Sequence, residues 1–273
     1  MADDPLDDFE HTTFTHDGKQ REVFRLGTGP AVIVIAELPG ITPKVADFAR
    51  TVAGIGCNAV VPHLFGRTGR DPDRDAHGIT GMLSTFVSAT VPLCVSREFT
   101  TMATGRTSPV IDWLRALAAH EHEQCGGPGV GAVGMCFTGG FALAMATDER
   151  LLAPVLSQPS LPFAISRSQK RNIDISADDM AKVRHRCAAE GLQVLGLRFE
   201  GDRLSPPERF EFLADQLGDA FIAVELPDDS AADAPAPVPP HSVLTEHLVD
   251  EPGEPTREAL DQVLDLFRSK LLV

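Results

Sequence analysis

All five residues from Ala31 to Ile35 are apolar and most are β-branched, which predicts a strand covered on both faces. The run ends at Glu37, Leu38, Pro39 and Gly40. Beyond Thr42 and Pro43, apolar Val45, Phe48, Ala49, Val52 and Ala53 recur at three- and four-residue steps, predicting a helix closed by Gly54 and Gly56. Asn58 to Pro62 reads as the next strand. This strand-helix-strand alternation predicts a parallel sheet with right-handed crossovers.

Further along, Ser108 and Pro109 open a helix carrying Val110, Trp113, Leu114 and Leu117, and the glycines at 126, 127 and 129 stop it. Val130 to Gly134 is a short strand of small and branched residues. Phe141 to Met145 then reads as a buried helix, leaving Met135 to Thr138 as a strand-to-helix turn. Leu151 to Leu156 is apolar again, Ser176 and Asp179 have the spacing of a capping box, and a helix follows to Gly191. Leu192 to Phe199 is strand-like, Pro206 to Leu217 helical, Phe221 to Leu226 strand-like, and Thr256 to Leu271 helical. The expected architecture is one α/β domain over 1–273, with irregular inserts around 66–105 and 228–240. The first insert reads as a loop followed by short helices, the second as a Pro-rich low-complexity loop.

Charge narrows the function classes. Of 273 residues, 39 are Asp or Glu and 24 are Lys or Arg, a net charge of −15 that opposes nucleic acid and anionic lipid. No apolar run approaches the ~20 residues needed to span a bilayer. The acidic start lacks the basic and apolar regions of a signal peptide, and the 5 cysteines show no framework spacing, so a reduced cytoplasm is the expected setting.

Ligands of open α/β sheets bind beyond the carboxyl ends of the strands, where Glu37, Cys136, Asp202 and His241 are expected. Cys136 occupies a sharp strand-to-helix turn, where amide groups favour a thiolate and can stabilise an oxyanion. Taken alone, it could equally be a small apolar residue in a tight turn. Asp202 could serve only its local turn or pair with Arg203, and a lone histidine such as His241 is usually just solvated.

The string Gly-Met-Cys-Phe-Thr-Gly-Gly at 134–140 resembles the nucleophile elbow of the dienelactone hydrolase family, the cysteine branch of the α/β-hydrolases. Val32 to Gly40 resembles that family's first core strand with its active-site glutamate. Gly201 to Pro206 is similar to its acid loop, and His241 with Ser242 to its histidine segment. The order nucleophile, acid, histidine is that of the superfamily. The resemblance implies an α/β-hydrolase fold that cleaves an ester or lactone of a small molecule through an acyl-cysteine, without cofactor or metal. Cys136 would be the nucleophile, His241 the base and Asp202 its orienting acid. The amides of Leu38 and Phe137 would form the oxyanion hole, with Glu37 as an auxiliary group near the nucleophile. The rival expectation is a non-catalytic relative that binds a small ligand or a protein.

Two departures modify these expectations. Thr138 stands where the elbow normally has Gly, which predicts a slightly relaxed turn. After His241 the chain reads Ser-Val-Leu-Thr-Glu-His, without the family's carboxylate-binding arginine, although Arg97, Arg106 or Arg203 could supply that charge from elsewhere. His120, His122 and Cys125 group possible metal ligands, but they match no standard spacing and read as a solvated helix end. Cys57, Cys94 and Cys187 read as core or inert.

Overall fold

A computed structural model of the chain describes residues 2–72, 98–233 and 239–273. Most of the predicted 66–105 insert, including Cys94 and Arg97, lies outside the described residues, as does the centre of the 228–240 insert. The strands are β1 (Glu10–His16), β2 (Lys19–Gly27), β3 (Ala31–Ile35), β4 (Asn58–Pro62), β5 (Val130–Met135), β6 (Leu151–Ser157), β7 (Val194–Phe199) and β8 (Phe221–Leu226). They form one sheet of 8 strands in the order β1-β2-β4-β3-β5-β6-β7-β8. Among the described residues only β1 with β2 and β2 with β4 pair antiparallel; β4, β3, β5, β6, β7 and β8 run parallel. This is the sheet of an α/β-hydrolase.

The helices are α1 (Pro43–Gly54), α2 (Val110–Cys125), α3 (Phe141–Met145), α4 (Arg167–Lys170), α5 (Ala177–Glu190), α6 (Pro207–Leu217) and α7 (Pro255–Leu271). Local chemistry starts several of them: Thr42 Oγ1 accepts from the Val45 amide at 3.3 Å with Pro43 inside the first turn, and Ser176 accepts from Asp179 at 3.1 Å. None of these helices is long and apolar enough to cross a membrane.

Strand alternation divides the core between the two faces of the sheet. Ile33 and Ile35 pack with Trp113 and Leu114 of α2 and Phe141 of α3. The intervening Val32 and Val34 pack with Val45 and Phe48 of α1 and Phe267 of α7. Such period-two partition is what a strand buried on both faces requires. Because β3 through β8 point the same way, their carboxyl ends bring distant loops to one edge.

The hairpin β1–β2 was not among the expected elements. β1 mostly alternates between exposed and half-buried and β2 buries only Val23 and Phe24, so polar Thr, His and Arg dilute the apolar signal. A local signal was nevertheless present: Asp17 and Gly18 form a two-residue connection, with φ of 48° and 71°.

Candidate active site

Cys136 lies immediately after β5 and begins a short 3-10 helix through Thr138. Its φ is 52°, a left-handed backbone that costs a non-glycine residue about 1–2 kcal/mol, and its thiol is half-buried. Close approach secures this turn. A Cβ on Gly134 would sit 2.1 Å from the Thr138 carbonyl oxygen, and one on Gly139 would sit 2.4 Å from Pro159 Cα. The expected relaxation at Thr138 is not what the structure shows. Its fully buried hydroxyl accepts from the Met135 amide at 3.0 Å and lies 2.9 Å from the Ile35 carbonyl, tying the elbow to β3. A hydroxyl tether thus occupies the space that glycine would leave empty.

Asp202 follows β7 and is buried. Its Oδ1 accepts from the amides of Leu204 at 2.9 Å and Ser205 at 3.2 Å, while Oδ2 lies 2.7 Å from His241 Nδ1. Arg203 is exposed, and no side-chain bond joins it to Asp202 among the described residues. Arg198 steadies the loop instead, donating to the carbonyls of Glu200 and Ser205, each at 2.8 Å.

His241 Nε2 is buried and has no partner at hydrogen-bond geometry. Burial opposes charge on this ring, yet the nearby Cys136 and the bond to Asp202 outweigh it and hold the pKa well above the usual 6.5. The structure therefore brings the predicted acid and histidine into contact and sets Cys136 close enough to act on the ring. Ser160, which sequence reasoning missed, also reaches the cysteine: its amide donates to the Cys136 carbonyl at 2.9 Å and its hydroxyl to Sγ at 3.7 Å.

Glu37 is buried at the end of β3. Its Oε2 accepts from Ser242 Oγ at 2.8 Å and Gln158 Nε2 at 3.2 Å, and its Oε1 accepts from Thr245 Oγ1. These partners belong to the histidine segment and the loop after β6, so the Glu37 carboxylate is tied to the segment carrying His241. Gln158 Oε1 in turn accepts from the Val243 amide at 3.3 Å.

Leu38 and Cys136 are half-buried on the same apolar cluster, and Phe137 lies in the first turn of the 3-10 helix, where N–H groups lack intrahelical acceptors. Phe137 stacks edge-on with Phe65 and Phe99, at centroid distances of 5.9 and 5.4 Å. Arg209 is a second residue sequence reasoning missed. Fully buried, it donates to the carbonyls of Pro159, Pro162, Gln169, Asn172 and Leu204, joining the loop beside Ser160 to the acid loop.

His247, expected merely to follow on the next segment, is buried against this site, with Nδ1 accepting from the Ser242 amide at 3.1 Å. The grouped residues of α2 go elsewhere: His120 stacks on Phe14 and Cys125 accepts from Asn58 at 3.1 Å. No cluster of metal-ligating side chains occurs among the described residues. A groove of about 650 Å³ lined by Arg184, His185 and Cys187, between α5 and the turn after α6, shares no residue with the Cys136 site.

A model of the dienelactone hydrolase family matches residues 22–178, which include Glu37 and Cys136 but stop before Asp202 and His241. No curated protein matches the chain. Among solved structures, a Klebsiella pneumoniae protein provisionally named a dienelactone hydrolase is 18% identical with a TM-score of 0.59. The match covers 95% of this chain and 97% of that one. A dienelactone hydrolase-like promiscuous phosphotriesterase from metagenomic libraries is 16% identical with a TM-score of 0.60, over 96% and 98% of the two chains. A cold-adapted esterase from an Arctic intertidal metagenomic library is 15% identical with a TM-score of 0.52, over 96% and 93%. At these identities the structural likenesses speak for the fold, whereas the family match spans more than half of the sequence. The chain belongs to the dienelactone hydrolase family, a family of carboxylic ester hydrolases.

Proposed function

We propose that the protein hydrolyses an ester or lactone of a small molecule through an acyl-cysteine on Cys136, with His241 as acid and base and Asp202 as its orienting partner. The observation that carries this reading is the 2.7 Å contact of His241 with Asp202 beside a cysteine held at positive φ. His241 takes the proton of the Cys136 thiol as the attack begins, and its raised pKa favours that transfer. Sulfur bonds to the substrate carbonyl carbon, and the oxyanion so formed is received by the amides of Leu38 and Phe137. Collapse breaks the bond to the leaving oxygen, which takes the proton from His241. Neutral His241 then deprotonates water, hydroxide adds to the acyl carbon, and collapse returns thiolate and imidazolium. The reading takes 1–273 as one domain working in the cytoplasm without cofactor, metal, nucleic acid or membrane.

Release of p-nitrophenol from its acetate by wild type and by Cys136→Ala tests the reading, together with mass spectrometry of the enzyme quenched during turnover. A Cys136-dependent rate and an acetyl group on the peptide containing Cys136 are expected. Absence of activity across a panel of esters and lactones would favour a non-catalytic relative that binds a ligand or a partner.

A further inference from the structure

His247 was not needed for the steps above, yet its surroundings are unusually specific. Two backbone amides converge on its Nδ1: Ser242 N at 3.1 Å and, more weakly, His241 N at 3.4 Å. An atom that accepts from amides cannot itself carry a proton, so the proton of neutral His247 resides on Nε2. That nitrogen is buried and has no partner. The backbone closes the same loop, with His247 N donating to the Ser242 carbonyl at 3.0 Å and the Ala232 amide donating to the His247 carbonyl at 3.0 Å. The edge of the ring meets Phe199 at the end of β7, with centroids 6.0 Å apart.

We propose that His247 is a positioning residue for His241, its neutral Nδ1 holding the start of the base-bearing segment so that the His241 ring meets Asp202 and Cys136. The role rests on the reading of His241 as the catalytic base. It also makes the site acid-sensitive at a second histidine. A proton on Nδ1 would face two N–H donors, abolish both bonds and force the segment apart. The charged groups acting on His247 are His241, which opposes its protonation, and Asp202, which favours it; β7 presents the uncharged Phe199 ring and the 228–232 segment the Ala232 amide. Burial, reinforced by His241, lowers the His247 pKa below 6.5, so the closed loop survives mild acidification and opens below that range.

Two substitutions separate positioning from bulk. In His247→Asn the side-chain oxygen can replace Nδ1 as acceptor and does not titrate; in His247→Leu the volume is roughly kept and the acceptor lost. The full-length protein is assayed for kcat and KM across pH with p-nitrophenyl acetate. The downfield proton NMR signal of the His241 Nδ1–H bonded to Asp202 is followed in parallel. His247→Asn should retain kcat within about threefold near neutral pH and lose the acid-side decline assigned to His247, whereas His247→Leu should lose kcat about tenfold or more with little change in KM. The downfield signal should persist in the first and weaken in the second. Wild-type kcat and signal in His247→Leu would overturn the proposal, and so would an unchanged acid limb in His247→Asn. If His247→Leu does not fold, the acid limb of His247→Asn still decides. If wild type hydrolyses no ester, the catalytic reading falls, and the signal in the two variants still reports whether His247 holds His241.

Discussion

At the scale of single residues, reactivity depends on what surrounds each thiol. Burial pushes Cys57 and Cys187 upward in pKa, whereas Cys136 is half-buried on a strained turn beside His241. Limiting iodoacetamide should therefore label Cys136 before Cys57, Cys125 or Cys187, as read by peptide mass spectrometry; earlier labelling of Cys187 would remove the thiol argument. The Asp202–His241 contact leads to a second expectation. Asp202→Asn keeps the shape of the loop but offers His241 an amide, and kcat should drop roughly 10²–10⁴-fold while far-UV circular dichroism is unchanged. Much of this candidate site was legible as a grouping: Cys136 stood out through the glycines around it, and Asp202 and His241, which the fold brings into contact, through their order after strands. His247 and Ser160 were not. Their roles depend on which way a side chain faces inside a folded loop, and no spacing encodes that.

At the scale of elements, apolar runs were legible and amphipathic edges were not. β3, β4 and β5 are covered on both faces and, apart from Asn58 at the start of β4, appear as stretches without polar side chains, while β1 and β2 leave positions open to solvent and mix their signal. The role of Arg209 was hidden for a different reason. Its position in α6 looks like an ordinary charged helix residue, but its five carbonyl partners come from the 159–172 segment and the acid loop, which the fold brings together. Burial drives its pKa down to about 10, with the Asp202 charge opposing that fall. Replacing it by Met would leave several buried carbonyls without donors, so Arg209→Met should cost about 3–5 kcal/mol in urea unfolding. Arg209→Lys should recover only part of this loss, because three donors on one nitrogen cannot reach carbonyls spread around a planar guanidinium. Full recovery by Lys would show that charge alone matters there.

At the scale of the whole molecule, pH and charge act through groups other than the cysteine. Asp174 accepts from Thr100 Oγ1 at 2.5 Å and Ser108 Oγ at 2.6 Å, but burial prevails and raises its pKa from 3.8 to about 6. Between those values the folded state holds the extra proton, so this group's contribution to stability declines as pH rises from 3.8 to about 6 and stays constant above. Asp174→Asn should gain relative to wild type by about 3 kcal/mol between the acid and alkaline sides of that window, measured by urea unfolding at each pH. No such trend would mean that the hydroxyl donors outweigh burial. Net charge bears on substrate choice. A protein at −15 repels an anionic ester at long range, and the segment after His241 offers Thr245 and Glu246 where a carboxylate would need a cation. Arg106 and Arg203 are exposed, and Arg203 makes no side-chain bond to the acid beside it. Neutral esters and lactones should therefore be turned over at least as fast as carboxylate-bearing ones, with added salt helping the anionic substrates by screening repulsion. A strong preference for a carboxylate-bearing lactone that fades with salt would instead reveal an attractive cation at the site, and Arg106→Gln and Arg203→Gln would then show which side chain supplies it.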